Sequence, residues 1–518
     1  MFCRRSQGGP GNPGQSIRKL KELGGRVEAT PIKIGIIAIV VALHALTFHA
    51  ISMHLDEYFF DSDGFTKFSD TAYDDGQQYA YYADSILHGT EWLELEVPDW
   101  LAQMENPYDA DERFALASET GEPYYWDYAF YDGHYYCYFG ILPALVAFVP
   151  FKLITGADLR TDWAVSFFAA FLAIVMAVFL FKFMRRYFPS TSFGVYILSF
   201  MLFAMASGIL TQVFYPLFYS LPPLAGLSCL FLGLTFWVCS RREGGSLRPG
   251  MLAAGSLFMA LTLACRPQLF LGMFVAVPLF WDEITRDRLF FSRKGMGNTA
   301  AMLLPCLIVA GLVMYHNWVR FDSPFDFGAA YNLTGFDMTQ NSGFSFQTAW
   351  VSLLFYILMP LDLKASFPFL DQIEWRSTVP VEPYLGGFFV FAPACLAILG
   401  LWHFRNELRG KRLLAMCGVC CVFAVILMVI SAQVASISMR YFSDFCWAVL
   451  IPALCVWLAS FEKNTGSRAY VWVAVVFAVL VLGGELLNYW SLLSPARYGS
   501  FASFNPEFYE SIAALFGA

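Results

Sequence analysis

Residues 138–154 read YFGILPALVAFVPFKLI. The placement of this stretch decides the fold, because counting it as a membrane crossing would reverse the sidedness of everything after it. A spanning helix needs roughly 20 mostly apolar residues. This run is shorter, carries Pro143 and Pro150, and contains Lys152 near its end. It reads as a helix lying in the outer interface. The basic residues test that reading. With the N-terminus inside and 138–154 left out, the inner segments are 1–33, 182–190, 240–249, 282–297, 403–412 and 461–468. They hold 23 of the 33 Lys and Arg but 8 of the 41 Asp and Glu. Cytoplasmic loops carry such an excess of positive charge. Making 138–154 a span would turn Arg185-Arg186, Arg241-Arg242, Arg293-Lys294 and Lys411-Arg412 outward.

Working outward, the remaining apolar runs give eleven spans, near 33–53, 162–181, 192–211, 217–239, 251–265, 268–281, 299–316, 385–402, 413–431, 441–459 and 470–489. The chain of 518 residues is 58% hydrophobic and 14% charged. Soluble domains are about 25% charged, so a soluble enzyme, a disordered chain and a secreted disulfide scaffold are excluded. Aromatic residues make up 18%, which suits lipid-facing and interfacial surface. A net charge of −8 excludes nucleic acid as a natural partner. The expected organisation is a cytoplasmic basic tail over 1–32 and a transmembrane domain over 33–489. Within that domain, 54–161 is a first outer loop with interfacial helices and 317–384 a second outer loop. Residues 490–518 form an outer tail. The first span is too long for a signal-peptide core and no small-residue cleavage site follows, so it reads as an uncleaved anchor.

The inner loops are short and carry no Walker A motif or Gly-rich dinucleotide turn. Polar chemistry is therefore expected outside, where nucleotide donors are scarce. The loop 54–137 has twenty acidic residues against Lys67 and Arg113. Asp74-Asp75-Gly76 leads into a predicted helix over Gln77–His88, with Tyr79, Tyr82, Ala83, Ile86 and Leu87 at helical spacing and Gly89 as its stop. Two acids at a helix start suit the helix dipole, so the pair reads either as a plain N-terminal cap or as a site. Asp61 with Asp63, and Asp109 with Asp111, share a D-x-D spacing that arises readily by chance in so acidic a loop. The run 126–136, WDYAFYDGHYY, supplies rings able to stack on sugars or to sit among headgroups. It also carries His134 and an Asp132-Gly133 turn.

Two arginines complete the candidate set. Residues 250–281 read as a hairpin of two short spans around Arg266-Pro267, each shorter than the hydrocarbon core, so that the turn lies below the outer surface and holds Arg266 at headgroup depth. Arg440 opens the tenth span in Ser438-Met439-Arg440-Tyr441-Phe442-Ser443-Asp444. A charge at that depth needs a partner, and Arg suits a phosphate. The plain alternative for Arg440 is an i, i+4 pair with Asp444. Glu485 in the last span could partner either arginine. Cys417, Cys420 and Cys421 share one helix face with no further ligand nearby, so they read as packing residues rather than a metal site.

In this arrangement the chain resembles the GT-C glycosyltransferase superfamily, and within it bacterial proteins similar to protein mannosyltransferases and aminoarabinose transferases. Asp74-Asp75-Gly76 with Gln78-Tyr79, Ala83, Ile86-Leu87 and Gly89 resembles the family's first-loop acidic element. Tyr135–Thr155 resembles the interfacial helices that follow it, 317–328 (NWVRFDSPFDFG) a segment after the seventh span, and Arg440-Tyr441 a late Arg-Tyr. His134 stands where related chains often carry Lys. The resemblance implies an all-α GT-C-like fold in a plasma membrane with an extracytoplasmic active site. It implies sugar transfer from a polyprenyl-phosphate donor to a glycan, lipid or protein acceptor, inverting. Asp74 and Asp75 would be catalytic, and Arg266, Arg440, Tyr441, His134 and Tyr79 would bind substrate. No cofactor is required, although a divalent metal is compatible with the acidic loop. Two other classes fit the topology: a transporter or lipid flippase, which would carry midplane charges and internal repeats, and a non-catalytic membrane assembly protein, whose acidic loop need not meet the arginines.

Overall fold

The computed structural model describes residues 25–53, 66–69, 72–74, 76–242, 244–340, 343–434, 436–495 and 499–517. Among the described residues, seven helices are long and apolar enough to cross a membrane. They are α1 (Pro31–Met53), α2 (Thr161–Tyr187), α3 (Leu221–Cys239), α4 (Met296–Phe321), α5 (Leu414–Val434), α6 (Phe442–Lys463) and α7 (Arg468–Ser491). The protein is thus a helical multi-pass membrane protein. Helices α3 and α6 are buried almost throughout. By contrast, α1, α4 and α7 leave most of their surface outside the bundle, with Leu43, Leu46, Leu307, Leu312, Val471 and Trp472 exposed. Such faces are stable only against lipid. α3 packs between α2 and the short helix Pro249–Leu261, which in turn packs on α4; α5 packs on α6.

The other four expected spans are shorter or broken. The run 192–211 stops as a helix at Ala206 and restarts at Ile209. Gly208 lies between them at φ +77°, a left-handed conformation that interrupts the helix, and its missing Cβ lets Ser443 approach. Pro267 begins a 3-10 stretch to Val275, and Pro393 begins another to Gly400 after a four-residue helix, Phe388–Phe391. Residues 144–155 form one turn of π-helix and a short α-helix, together roughly 18 Å at 1.5 Å per residue. That is well short of a crossing.

The first outer loop folds as expected in two places. A helix runs over Gln78–His88 and ends at Gly89, φ +77°, where the amide of Thr90 donates to Ser85. Strands β4 (Ala129–Tyr131) and β5 (His134–Tyr136) form a hairpin turned by Asp132 and Gly133, both at positive φ. Three further strands, β1 (Thr66–Ser69), β2 (Ala72–Asp74) and β3 (Tyr124–Tyr125), make a small sheet; they are numbered by their place in that sheet. In it β2 runs parallel to β3, with Tyr73 opposite Tyr125. The two outer loops are joined by backbone pairing: the Asp127 amide donates to Leu333, and the Leu333 amide to Tyr128. Asp109 caps the helix Ala110–Thr120 by accepting from the Glu112 amide, which accounts for one D-x-D match. Asp61 and Asp63 lie outside the described residues. The C-terminal segment packs on the second outer loop, with Phe367 against Tyr509 and Phe516.

Candidate functional site

At the N-terminal ends of α3 and α6 lies a cavity of about 480 Å³. One wall is apolar, from Phe139, Gly140, Pro222, Pro223 and Leu263; the others carry Arg266, Gln268, Arg440 and Tyr441 with Asp127, Asn332 and Glu382. The chain approaches closely here. A Cβ on Gly140 would sit 2.2 Å from the Ala264 carbonyl oxygen and 2.5 Å from that of Cys265. Only glycine lets the first outer loop lie against the Arg266 hairpin.

Arg266 forks onto Asp444, Nε to Oδ1 and Nη2 to Oδ2 at 2.7 Å. Asp444 is fully buried and also accepts from Gln268 Nε2 (3.2 Å) and Ser431 Oγ (3.0 Å). A buried carboxylate needs this degree of satisfaction to stay charged. Arg440 instead pairs with Glu382, Nη2 to Oε1 at 2.6 Å; Ser436 and Ser438 donate to the same carboxylate. The alternative of an i, i+4 pair between Arg440 and Asp444 is therefore not what forms. Glu485 partners neither arginine: it lies 3.5 Å from His44 Nε2 on α1. The two guanidinium groups share one ring, with Arg266 5.4 Å and Arg440 5.8 Å from the centre of Tyr441. Arg440 also lies over Tyr219 at 4.7 Å. Aromatic faces attract such cations.

The opposite wall comes from both outer loops. Asp127 adopts φ +60° and is buried; its Oδ1 accepts from Asn332 Nδ2 (3.2 Å) and its carbonyl from Gln78 Nε2 (3.3 Å). Two amide oxygens on the cavity, Asn332 Oδ1 and Gln212 Oε1, are buried with no donor among the described residues. Buried acceptors of this kind are costly unless something donates to them.

The sequence candidates fall into three groups. Arg266, Arg440 and Tyr441 line the cavity together. Tyr79 is buried behind its wall, donating to the Gly140 carbonyl (2.9 Å) and stacking on Phe148. His134 is exposed on the hairpin, stacked on Trp92 at 4.6 Å, and does not line the cavity. Asp74 ends β2, beside the chain that leads from β3 into Asp127; its side chain, and Asp75 entirely, lie outside the described residues.

No protein-family profile matches the sequence, and no curated protein matches it. Among solved structures the fold is similar to the apo oligosaccharyltransferase of Archaeoglobus fulgidus, with a TM-score of 0.48 and 12% identity over 88% of this chain and 55% of that one. It is also similar to ArnT from Cupriavidus metallidurans bound to undecaprenyl phosphate, with a TM-score of 0.41 and 15% identity over 88% of this chain and 72% of that one. The same protein in its apo state gives 0.39 and 16% over the same shares. The chain spans about half the length of the archaeal protein.

Asp127, Glu382, Asn332 and Gln268 were not singled out by the sequence. Glu382 had a faint signal, an acid set between Pro380 and Pro383 in a loop otherwise poor in helix formers. Asp127 stood inside the aromatic run, where its neighbours drew the attention. Among the described residues, no group of three or more His, Cys, Asp or Glu side chains is placed to hold a metal.

Proposed function

We propose that the chain is a membrane glycosyltransferase that moves a sugar from a polyprenyl-phosphate donor to an acceptor hydroxyl at the outer membrane face, with inversion. The observation that carries this reading is the meeting of Arg266 and Arg440 over Tyr441, in a cavity that also presents Asp127 and Glu382. Guanidinium groups at this depth suit a phosphate, and the apolar wall from Pro222, Pro223 and Leu263 suits the first part of a lipid chain. Asn332 Oδ1 and Gln212 Oε1 are acceptors that sugar hydroxyls would satisfy.

In the reaction, an acidic side chain takes the proton of the acceptor hydroxyl as its oxygen attacks the anomeric carbon. The bond from that carbon to the phosphate oxygen breaks on the opposite side, and the lipid phosphate leaves with the electron pair. General-base assistance is worth about 10²–10⁴ in rate. Fixed positive charge lowers the barrier further where the leaving anion forms. Asp74 is the proposed base and Asp75 its partner; in support, the backbone of β2, which ends at Asp74, runs beside β3, the strand that leads into Asp127. No metal is called for in this scheme.

The test is sugar transfer from a polyprenyl-phosphate donor by purified protein carrying Asp74→Asn, Asp75→Asn, Asp127→Asn or Arg440→Gln, at matched expression. Loss of about 10² or more on neutralising Asp74 or Asp75 is expected. Full activity in both variants removes that assignment, and a dominant loss in Asp127→Asn transfers the base to the residue that lines the cavity.

A further inference from the structure

The other end of the bundle carries a larger basin. Helix α3 begins at the cavity with Pro222 and Pro223, and its last turn, Val238 and Cys239, walls a basin of about 1130 Å³. At 1.5 Å per residue the two lie roughly 25 Å apart along the helix, close to the thickness of a hydrocarbon core. Eight Lys and Arg side chains line this basin against Glu283 and Asp287. Three of the eight are paired: Arg241 with Glu283 (2.9 Å), Lys411 with Glu462 (2.8 Å) and Arg412 with Asp282 (2.7 Å). The other five, Lys182, Arg185, Arg186, Arg242 and Arg248, make no ion pair among the described residues.

Five like charges around one concavity raise its potential and favour an anion. A general bias of basic residues toward one membrane side explains the number of basic side chains but not the gathering of all eight from three separate chain segments around one hollow. The rim indicates what kind of anion. Val178, one turn before Lys182 on α2, is exposed, as are Val277 and Trp281 just before the acidic pair Asp282-Glu283. Exposed apolar side chains within a turn of lining residues, Val178 before Lys182 and Trp281 before Glu283, suit a molecule with acyl chains beside a charged headgroup. We propose that this basin binds the phosphate of anionic phospholipids from the leaflet at that end of the bundle. Arginine forks suit phosphate oxygens, and basic hollows between transmembrane helices take such headgroups. The proposal does not depend on the reaction assigned to the cavity.

Native mass spectrometry of the full chain, released from mixed micelles of phosphatidylglycerol and phosphatidylcholine with identical acyl chains, tests it. Wild type should retain phosphatidylglycerol over phosphatidylcholine by about tenfold or more. The triple variant Lys182→Gln, Arg185→Gln, Arg242→Gln should lose most of that preference. A triple of equal charge outside the basin, Arg286→Gln, Arg293→Gln, Lys294→Gln, should keep it. Equal loss in both triples, or no preference in wild type, overturns the proposal; the wild-type ratio decides the matter even if the basin triple fails to fold. Added inorganic phosphate separates the two sources of the group: if it displaces the lipid at millimolar concentration, the basin is a free-phosphate site and the lipid assignment falls.

Discussion

Arg266 and Arg440 look equivalent in sequence, yet they hold their carboxylates in different surroundings. Asp444 has no exposed side-chain surface, whereas Glu382 keeps 13%. Removing Arg266 strands a buried charge, which costs about 3–5 kcal/mol. Arg440→Leu leaves a carboxylate that still has two serine donors and partial access to water, so a loss of about 1–3 kcal/mol is expected. Thermal unfolding of the two leucine variants in detergent should rank Arg266 as clearly the more damaging; equal shifts would contradict the difference in burial. The failed i, i+4 pairing has a plain cause. Arg440 lies in a 3-10 turn, Met439–Tyr441, ahead of the α-helix that starts at Phe442, so α-helical spacing does not govern its reach. Gly140 permits a second check. Gly140→Ala forces a methyl group into two backbone carbonyls, and overpacking of this kind costs about 1–3 kcal/mol. Donor binding should fall with stability in that variant, and a variant unchanged in both would mean the loop contact at Ala264 is dispensable.

At the level of elements, the two loops are held together in several places. Asn106 Nδ2 donates to Asp337 Oδ2 (3.0 Å), and buried Arg113 donates to the carbonyls of Pro107 and Thr334. Burial pushes the Asp337 carboxyl up, but hydrogen bonds from Thr339 and Asn106 outweigh it and hold the group below the usual carboxylate range. A carboxylate depressed in the folded state contributes stability above its unfolded value, near 4, and loses it as pH falls through the folded value. Amide exchange over 329–340 should therefore quicken only below about pH 4, and Asp337→Asn should bring that faster exchange to neutral pH. An unchanged exchange rate in the variant would show that the Asn106 contact does not hold the loop. The helix at 78–88 and the turn at 132–133 were legible in sequence because each is specified locally, by periodicity, a glycine stop and an Asp-Gly pair. Glu382 and Asn332 were not, because their positions depend on pairing between distant segments, Glu382 with Ile437 and Leu333 with Asp127 and Tyr128. The breaks at Gly208, Pro267 and Pro393 had visible residues, but hydropathy averages over them.

For the whole molecule, the charge bias and the placement of 138–154 make one topological prediction. Thr378 and Ser246 are both exposed, the first on the second outer loop and the second on the turn after α3. The eleven cysteines of the described residues are all buried or half-buried, so they give little background. Thr378→Cys should react with a membrane-impermeant maleimide added outside intact cells, and Ser246→Cys only after permeabilisation. Labelling of both from one side would mean that 138–154 had been placed wrongly and the sidedness with it. The long spans were readable because length and apolarity are properties of the segment itself; which helices form the interior, α3 and α6, was not, since all seven are similarly apolar.

The tie between Arg440 and Glu382 bears on turnover. A guanidinium that already has a carboxylate for company grips an incoming anion less tenaciously than a bare one, because the newcomer must compete with a resident that returns as soon as it departs. Such a site favours letting go. Under the proposed transfer, a spent lipid carrier would be shed into the bilayer quickly rather than linger as an inhibitor.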